Sequence, residues 1–413
     1  MNWPDPSEAA GPLGDGRFAT AVDRPTAVAE LREIVRRRIS EGLAIYPQGG
    51  RTALDYGGVP RRPGVAVDLT GMGRVIDYPA ADMTITVEAG ITLAEVARAL
   101  DAEGQRLEID APRPDRATIG GVYATNSTGP RRLGWGRPRD QIIGIGFVTA
   151  DGNLVKGGGR VVKNVAGYDL PKLLTGSMGS LGVISHVTLK VRPKPEASAL
   201  VRLSYDSPQA VARDLERLNT SSTRPVAVEL LNDPAARPVG DGPPTAWTLV
   251  VGFEDNAASV DWQLGRIAAE MSGRLATVVP GEAPGLWAAL RESWAAESSP
   301  VAVMARVRPS VVVDLAVTID PSLWALQAHA ATGIVGLHAL SSDLDAIAAD
   351  VHRVRALAEA SGGHLTVSRC PTERKENLKV WGNPRPDWAW CERIKATLDP
   401  AGMMNPGRFV GNI

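Results

Sequence analysis

Glycine is the first sign of chemistry in this chain. Three stretches, Pro47-Gln48-Gly49-Gly50-Arg51-Thr52, ATIGGVYATNSTG from Ala117 to Gly129, and GGGRVVKNVAGYDLPKLLTGSMGSLGVI from Gly157 to Ile184, set glycine among small and aliphatic residues. A flexible tether would carry Ser and Pro instead, so these are packed loops. A residue without Cβ lets backbone approach a large flat ligand, and free N–H groups in such loops suit phosphate oxygens. Neither G-x-x-x-x-G-K-[ST] nor a strand–G-x-G-x-x-G–helix turn occurs, which excludes a P-loop and a Rossmann site.

Composition narrows the remaining classes. With 413 residues the chain can bury a full core and form two domains. Lys and Arg total 45 against 46 Asp and Glu, so no basic field points to nucleic acid or an anionic membrane. The two cysteines, Cys370 and Cys391, stand outside any C-x-x-C or Cys/His cluster, so no metal site is expected and the thiols should be reduced. The start, MNWPDPSEAAGPLGDG, lacks the basic and apolar regions of a secretory signal, and PVAVMARVRPSVVV is interrupted by Arg306 and Arg308. A cytoplasmic protein is expected.

The elements that must position the glycine runs follow from periodicity. Val28, Leu31, Ile34, Val35 and Ile39 mark one face of a helix over Pro25–Ile39, and Leu43–Tyr46 reads as the strand entering the first run. Gly64–Leu69 and Thr84–Val87 read as strands. Thr92 and Glu95 have the spacing of a capping box ahead of a stripe of Leu93, Val96, Ala97 and Leu100. Thr118–Gly121 is expected to be a loop. Ile142–Thr149 turns back at Asp151-Gly152 as a hairpin. Arg192-Pro193-Lys194-Pro195 marks a boundary. Beyond it, strands such as Trp247–Phe253 alternate with helices such as Asp345–Ala358.

These runs in this order, with KNVAGYDL at Lys163–Leu170 and the closing IKATLDPAGMMNPGRFVGNI, resemble the FAD-binding domain of the vanillyl-alcohol oxidase and p-cresol methylhydroxylase (PCMH) superfamily. KNVAGYDL looks like the smaller, GlcE-type flavin subunit of bacterial glycolate oxidase. The resemblance implies an α+β fold. A PCMH-type FAD-binding domain of two α+β subdomains would occupy residues 1–195, an α+β cap for substrate or subunit contact residues 196–375, and a segment returning to the flavin residues 376–413. It implies FAD on Pro47, Gln48, Gly49, Gly50, Arg51 and Thr52, then on Thr118, Ile119, Gly120, Gly121, Ala124, Asn126 and Gly129. The third run would add Lys163, Asn164, Gly167, Tyr168, Asp169, Gly176, Gly179, Gly182 and Val183, and the tail Asn405 with Pro406 and Gly407. Some superfamily members attach flavin through a His near the first run. No His precedes His186 here, so noncovalent FAD is expected. Gly120 and Gly176 are expected to be positions where a branched side chain displaces the cofactor.

Oxidising a 2-hydroxy acid with a flavin calls for a cation on the carboxylate and a base for the hydroxyl proton. Arg306, Arg308 and Arg369 are the candidate cations, and His338 and His364 the candidate bases. The paired-histidine motif H-x-G-D-G-N-x-H of the larger, metal-binding flavin subunit is missing. The resemblance therefore implies a subunit acting on glycolate beside a larger flavin subunit and an iron–sulfur subunit, and reaching the inner face of the membrane only through them. A stand-alone 2-hydroxy acid dehydrogenase and a non-catalytic interaction subunit use the same sequence features. Trp381, Trp388 and Trp390 are expected either to pack the tail or to face a partner.

Overall fold

The structure, a computed structural model, describes residues 3–4, 10–159, 167–239, 246–278, 283–295 and 298–413. The first part of the chain builds two small sheets on one shared core. Val22–Asp23, Gly64–Asp68 and Ala44–Gln48 form a parallel sheet with Gly64–Asp68 in the middle. The helix Val28–Ser40 buries Leu31, Ile34 and Val35, the positions its periodicity marks. Five antiparallel strands make the second sheet, in the order Leu154–Gly158, Ile142–Val148, Val183–Lys190, Thr84–Glu88 and Val75–Asp77. The predicted capping box is present, Thr92 Oγ1 accepting from Glu95 N while Glu95 Oε2 accepts from Thr92 N at 2.9 Å. Val67, Ile85, Val87, Phe147 and Val187 join in one cluster, so the two sheets share one core.

Ile119–Thr125, expected as a loop, is a helix. Thr118 caps its start by accepting from Gly121 N, and Asn126 ends it in the left-handed region. Glycine's low helix propensity is overridden because Ile119, Val122 and Tyr123 are buried.

The second half forms one eight-stranded antiparallel sheet. Its order is Arg274–Val278, Ala197–Tyr205, Trp247–Asp255, Ala227–Asn232, Trp324–His329, Ile334–Ala339, Ala302–Arg306 and His364–Arg369. Strand alternation divides the side chains between two faces. Leu230, Leu326, Ala328, Val335, Leu337, Val303, Ala305, Leu365 and Val367 face a core closed by helices such as Leu344–Ala360. The intervening residues, Glu229, Gln327, His329, Gly336, His338, Met304 and Arg306, point the other way, toward the first domain.

The chain then returns. Ile45 N donates to Met403 O and Asn405 N to Ile45 O, each at 2.8 Å, adding the tail beside the first parallel sheet. Lys395 anchors it, donating to Asp399 Oδ2 at 2.6 Å and to the carbonyls of Ser180 and Met404 at 2.7 Å. Trp381 packs between Tyr56 and Phe409, while Trp390 is exposed. Glu254 of the cap sheet ties the halves together. It accepts from Arg106 at 2.5 Å, Arg131 at 2.9 Å and Trp135 at 3.1 Å, and Arg131 lies 3.9 Å over the ring of Trp287. Among the described residues no helix is long and apolar enough to cross a membrane.

Candidate functional site

Two clefts meet between the halves of the protein, sharing Thr52, Ala53, Gly121 and Thr125. The first encloses about 890 Å³, open to solvent, and is lined by Pro47 and Gln48 at the end of the strand Ala44–Gln48 and by Gly49, Gly50, Arg51 and Thr52 from the loop after it. Thr118, Gly120, Gly121 and Ala124 from the short helix, with Gly179, Gly182 and Asn405, complete its walls. A Cβ on Gly50 would run into the carbonyl of Arg116, so glycine is what lets this loop lie flat on the helix entry.

Other residues expected at the site lie elsewhere. Ile119 and Val183 are buried in the core beneath the cleft. Gly129 packs on the backbone of Asp110. Gly176 has φ +85° and its Cβ would meet Asn126. Gly120 does line the first cleft, and a Cβ on it would meet Ala89 Cβ at 2.8 Å. A branched side chain at either position therefore also meets protein, at Ala89 or Asn126. Tyr168 is 93% exposed, Gly167 is exposed, and Asp169 caps the turn Leu170–Leu174 by accepting from Lys172 N. Lys163 and Asn164 lie outside the described residues. Pro406 and Gly407 hold the loop at Gly58–Arg61, Pro406 O accepting from Arg61 N, and only Asn405 of the three reaches the cleft.

The second cleft, about 1340 Å³ and also open to solvent, carries the charge. Arg113 and Arg132 reach it from the first domain, and Arg306 and Arg369 from adjacent strands of the cap, against Asp55 as its one lining carboxylate among the described residues. Arg369 Nε lies 3.7 Å from Asp55 Oδ2. Burial, and after it the charge of Arg306, lowers the Arg132 guanidinium to about 10. His338 lines this cleft, and burial followed by the charge of Arg369 pushes its imidazole down to about 4. It is neutral at pH 7. His364 is on the same sheet face but outside the cleft, also lowered to about 4 by burial and then by Arg306 and Arg385. Arg308 is exposed.

Sequence reasoning missed Arg113, Arg132, Asp55, Tyr56, Trp294, His329 and Glu229. Arg132, in the basic pair just after the second glycine run, carried a usable signal. Glu229 and His329 are brought together by long-range strand pairing, 100 residues apart in sequence and their side chains 2.6 Å apart in space, while Asp55, Tyr56, Arg113 and Trp294 come from loops and short turns. Five of the non-glycine residues held at positive φ, Arg51, Arg113, Asn126, Met178 and Asn405, line the two clefts. Such conformations cost of order 1–3 kcal/mol each and gather where a ligand is clamped.

The lining fits FAD. Glycine backbone floors the first cleft, and Gln48 Oε1 there is buried without a protein partner. Asn126 Oδ1, Trp294 Nε1 and His338 Nδ1 are equally without partners in the second. Buried polar atoms in this state call for a polar ligand. The first histidine, His186, packs on Gly146 in the second sheet and lines neither cleft.

Comparison with known proteins agrees with this geometry. Residues 19–158 match the family described as FAD binding domain, and residues 194–320 and 372–409 match FAD linked oxidases, C-terminal domain. Glycolate oxidase subunit GlcD of Bacillus subtilis is 26% identical over 94% of this chain and 88% of its own. D-2-hydroxyglutarate dehydrogenase of Xanthomonas citri pv. viticola is 33% identical over 45% of this chain and 40% of its own. Glycolate oxidase subunit GlcE of Escherichia coli is 34% identical over 45% and 53%. The matches to the last two thus span about half of those relatives or less. A solved structure of alkyldihydroxyacetonephosphate synthase superposes with a TM-score of 0.70 over 94% of this chain and 76% of that one, at 17% identity, and so shares the fold. The two family matches, with these relatives, make the chain a member of the FAD-linked oxidases of the PCMH superfamily, an FAD-dependent oxidoreductase acting on CH–OH.

Proposed function

We propose that this chain is the FAD-binding subunit of a glycolate oxidase-type complex, oxidising a small 2-hydroxy acid such as glycolate to the 2-oxo acid. Electrons would leave through a larger flavin subunit and an iron–sulfur partner. The observation that carries the reading is the cationic second cleft opening directly from the glycine-floored first. Bound FAD, held without a covalent link, supplies the acceptor for the two electrons and the α-hydrogen. The chain's own residues do the rest. Arg306 and Arg369 grip the substrate carboxylate, since a guanidinium matches it through paired N–H groups. Neutral His338 lines the cleft beside Arg369 without adding charge. Trp294 and Tyr56 wall the cleft against water. The relatives named glycolate oxidase subunit and D-2-hydroxyglutarate dehydrogenase support the substrate class. The subunit role rests on the GlcE-like sequence features.

One observation favours a second reading, a stand-alone dehydrogenase: cations and an imidazole line a substrate-sized cleft within this one chain. An anaerobic visible spectrum before and after glycolate or D-lactate separates the two. Bleaching of the purified chain supports the stand-alone enzyme. A flavin that bleaches only with the partner subunits present supports the complex. A folded, colourless chain would refute both and leave an interaction subunit.

A further inference from the structure

On one wall of the second cleft, a buried hydrogen-bond chain ends at an imidazole that the reading above leaves without a role. Glu229 is fully buried, and its two oxygens are both engaged, Oε1 with His329 Nδ1 at 2.6 Å and Oε2 with Gln327 Nε2 at 2.7 Å. The orientation of the Gln327 amide is fixed from outside. Gln327 Nε2 also donates to the Leu290 carbonyl at 3.1 Å, and a carbonyl can only accept. The Ser293 hydroxyl, which shares its one hydrogen with the Leu290 carbonyl, lies against the opposite atom of the same amide, Gln327 Oε1. The amide nitrogen therefore faces Glu229, which accepts on Oε2. With Glu229 ionised, Oε1 accepts from Nδ1–H, and His329 keeps its lone pair on Nε2.

The ring is also fixed in orientation. Trp294 stacks on it, with centroids 4.2 Å apart and planes 27° apart. The indole in turn occupies space above Gly336, where a Cβ would come within 2.6 Å of it. An imidazole held by a carboxylate on one nitrogen and presenting the other to a ligand cleft is the arrangement of an oriented base.

The geometry points to His329 as the catalytic residue that takes the substrate hydroxyl proton on Nε2, with Glu229 as the positioning residue that fixes its tautomer; this rests on the reading of the cleft as a 2-hydroxy acid site. The substrate O–H bond breaks and its proton moves to Nε2. The α-hydrogen leaves with its electron pair to the oxidised cofactor, and the carbon becomes the carbonyl of a 2-oxo acid. The positive charge arriving on the ring is balanced by the Glu229 carboxylate. His338 suits this task less, because an imidazole lowered to about 4 holds a proton weakly at neutral pH.

The decisive variant is His329→Asn, whose side-chain N–H can still donate to Glu229 while Nε2 is lost. In the flavin-loaded protein, in whichever assembly bleaches, anaerobic reduction should slow by about 10²–10⁴-fold with KM changed only a few-fold. Glu229→Gln, whose amide oxygen can still accept from Nδ1, should slow it less than His329→Asn. A readout that needs no turnover is the long-range ¹H–¹⁵N correlation spectrum of the histidines. It should show His329, identified by its contacts with Trp294, protonated on Nδ1. Reduction of His329→Asn at the wild-type rate, or an Nε2–H tautomer, would overturn the proposal. Should His329→Asn fail to fold, the wild-type tautomer still decides. Wild-type flavin that no 2-hydroxy acid bleaches in any assembly would remove the functional reading, and the base with it.

Discussion

Gly120 and Gly121 are neighbours on one short helix, yet valine at the two positions should fail in opposite ways. At Gly120 the new Cβ would lie 2.8 Å from Ala89 Cβ and 3.0 Å from the Ala89 backbone O, on a residue buried in the core of the first domain. Overpacking of this kind costs typically about 1–3 kcal/mol, against roughly 0.3 kcal/mol recovered by replacing glycine in a helix. Gly120→Val should therefore destabilise the protein even without cofactor. At Gly121 the nearest protein atom to a Cβ is Thr118 Oγ1 at 3.2 Å, and the position lines both clefts. Apoprotein stability should stay within about 1 kcal/mol of wild type there, because a hydroxyl can give by a few tenths of an ångström. The same steric cost would fall on the cofactor, weakening FAD binding by about 10–100-fold, since each 1.4 kcal/mol is a factor of ten. Urea unfolding of the apoproteins and fluorescence titration with FAD measure the two effects separately. A Gly121→Val protein that binds FAD like wild type would refute the placement of the cofactor over this helix. A Gly120→Val apoprotein as stable as wild type would refute the packing argument.

Two further outcomes concern charge. Glu254→Ala removes the carboxylate that Arg106 and Arg131 share at the junction of the halves, leaving Glu108 and Asp110 beside them, and should cost about 1–3 kcal/mol in urea unfolding, while Glu254→Gln, which keeps an acceptor, should cost less; equal losses would show that charge is not what the junction needs. His338 has a folded-state pKa near 4, below its unfolded value, so the unfolded chain binds more protons between pH 6.5 and 4. The stability contributed by the neutral ring is present above pH 6.5 and lost as pH falls through that window. His338→Asn should flatten the acid limb of the stability–pH curve, and an unchanged limb would refute the assignment.

Local signals in the sequence carried the scaffold well. The Thr92/Glu95 box and the Val28–Ile39 stripe are interactions within a turn or two, and both are present as read. The short helix Ile119–Thr125 was read as a loop because its two glycines outweigh its apolar residues locally, and only tertiary burial of Ile119 and Tyr123 reverses that. The first cleft was legible because contiguous residues such as Pro47–Thr52 form much of it. The second was legible only in part. Arg306, His338 and Arg369 stood out by residue type, whereas Glu229 and His329 meet through the pairing of strands 100 residues apart, and no spacing announces that register. His364 shares the right residue type and sheet face with Arg306 yet lies outside the cleft, a distinction that depends on position along the sheet.

The return of the tail has a consequence for how the protein is made. Asp15, only 2% exposed at its side chain, is neutralised by Lys375 and Arg408, and Arg408 lies 393 residues later in the chain. A ribosome adding about 5–20 residues per second takes about 20–80 s to cover that distance. Throughout that interval the nascent first domain has an acid without its cations and a parallel sheet without the strand partner at Met404. Capture of the nucleotide then waits for the tail, because Asn405 belongs to the wall of the cleft that would hold it.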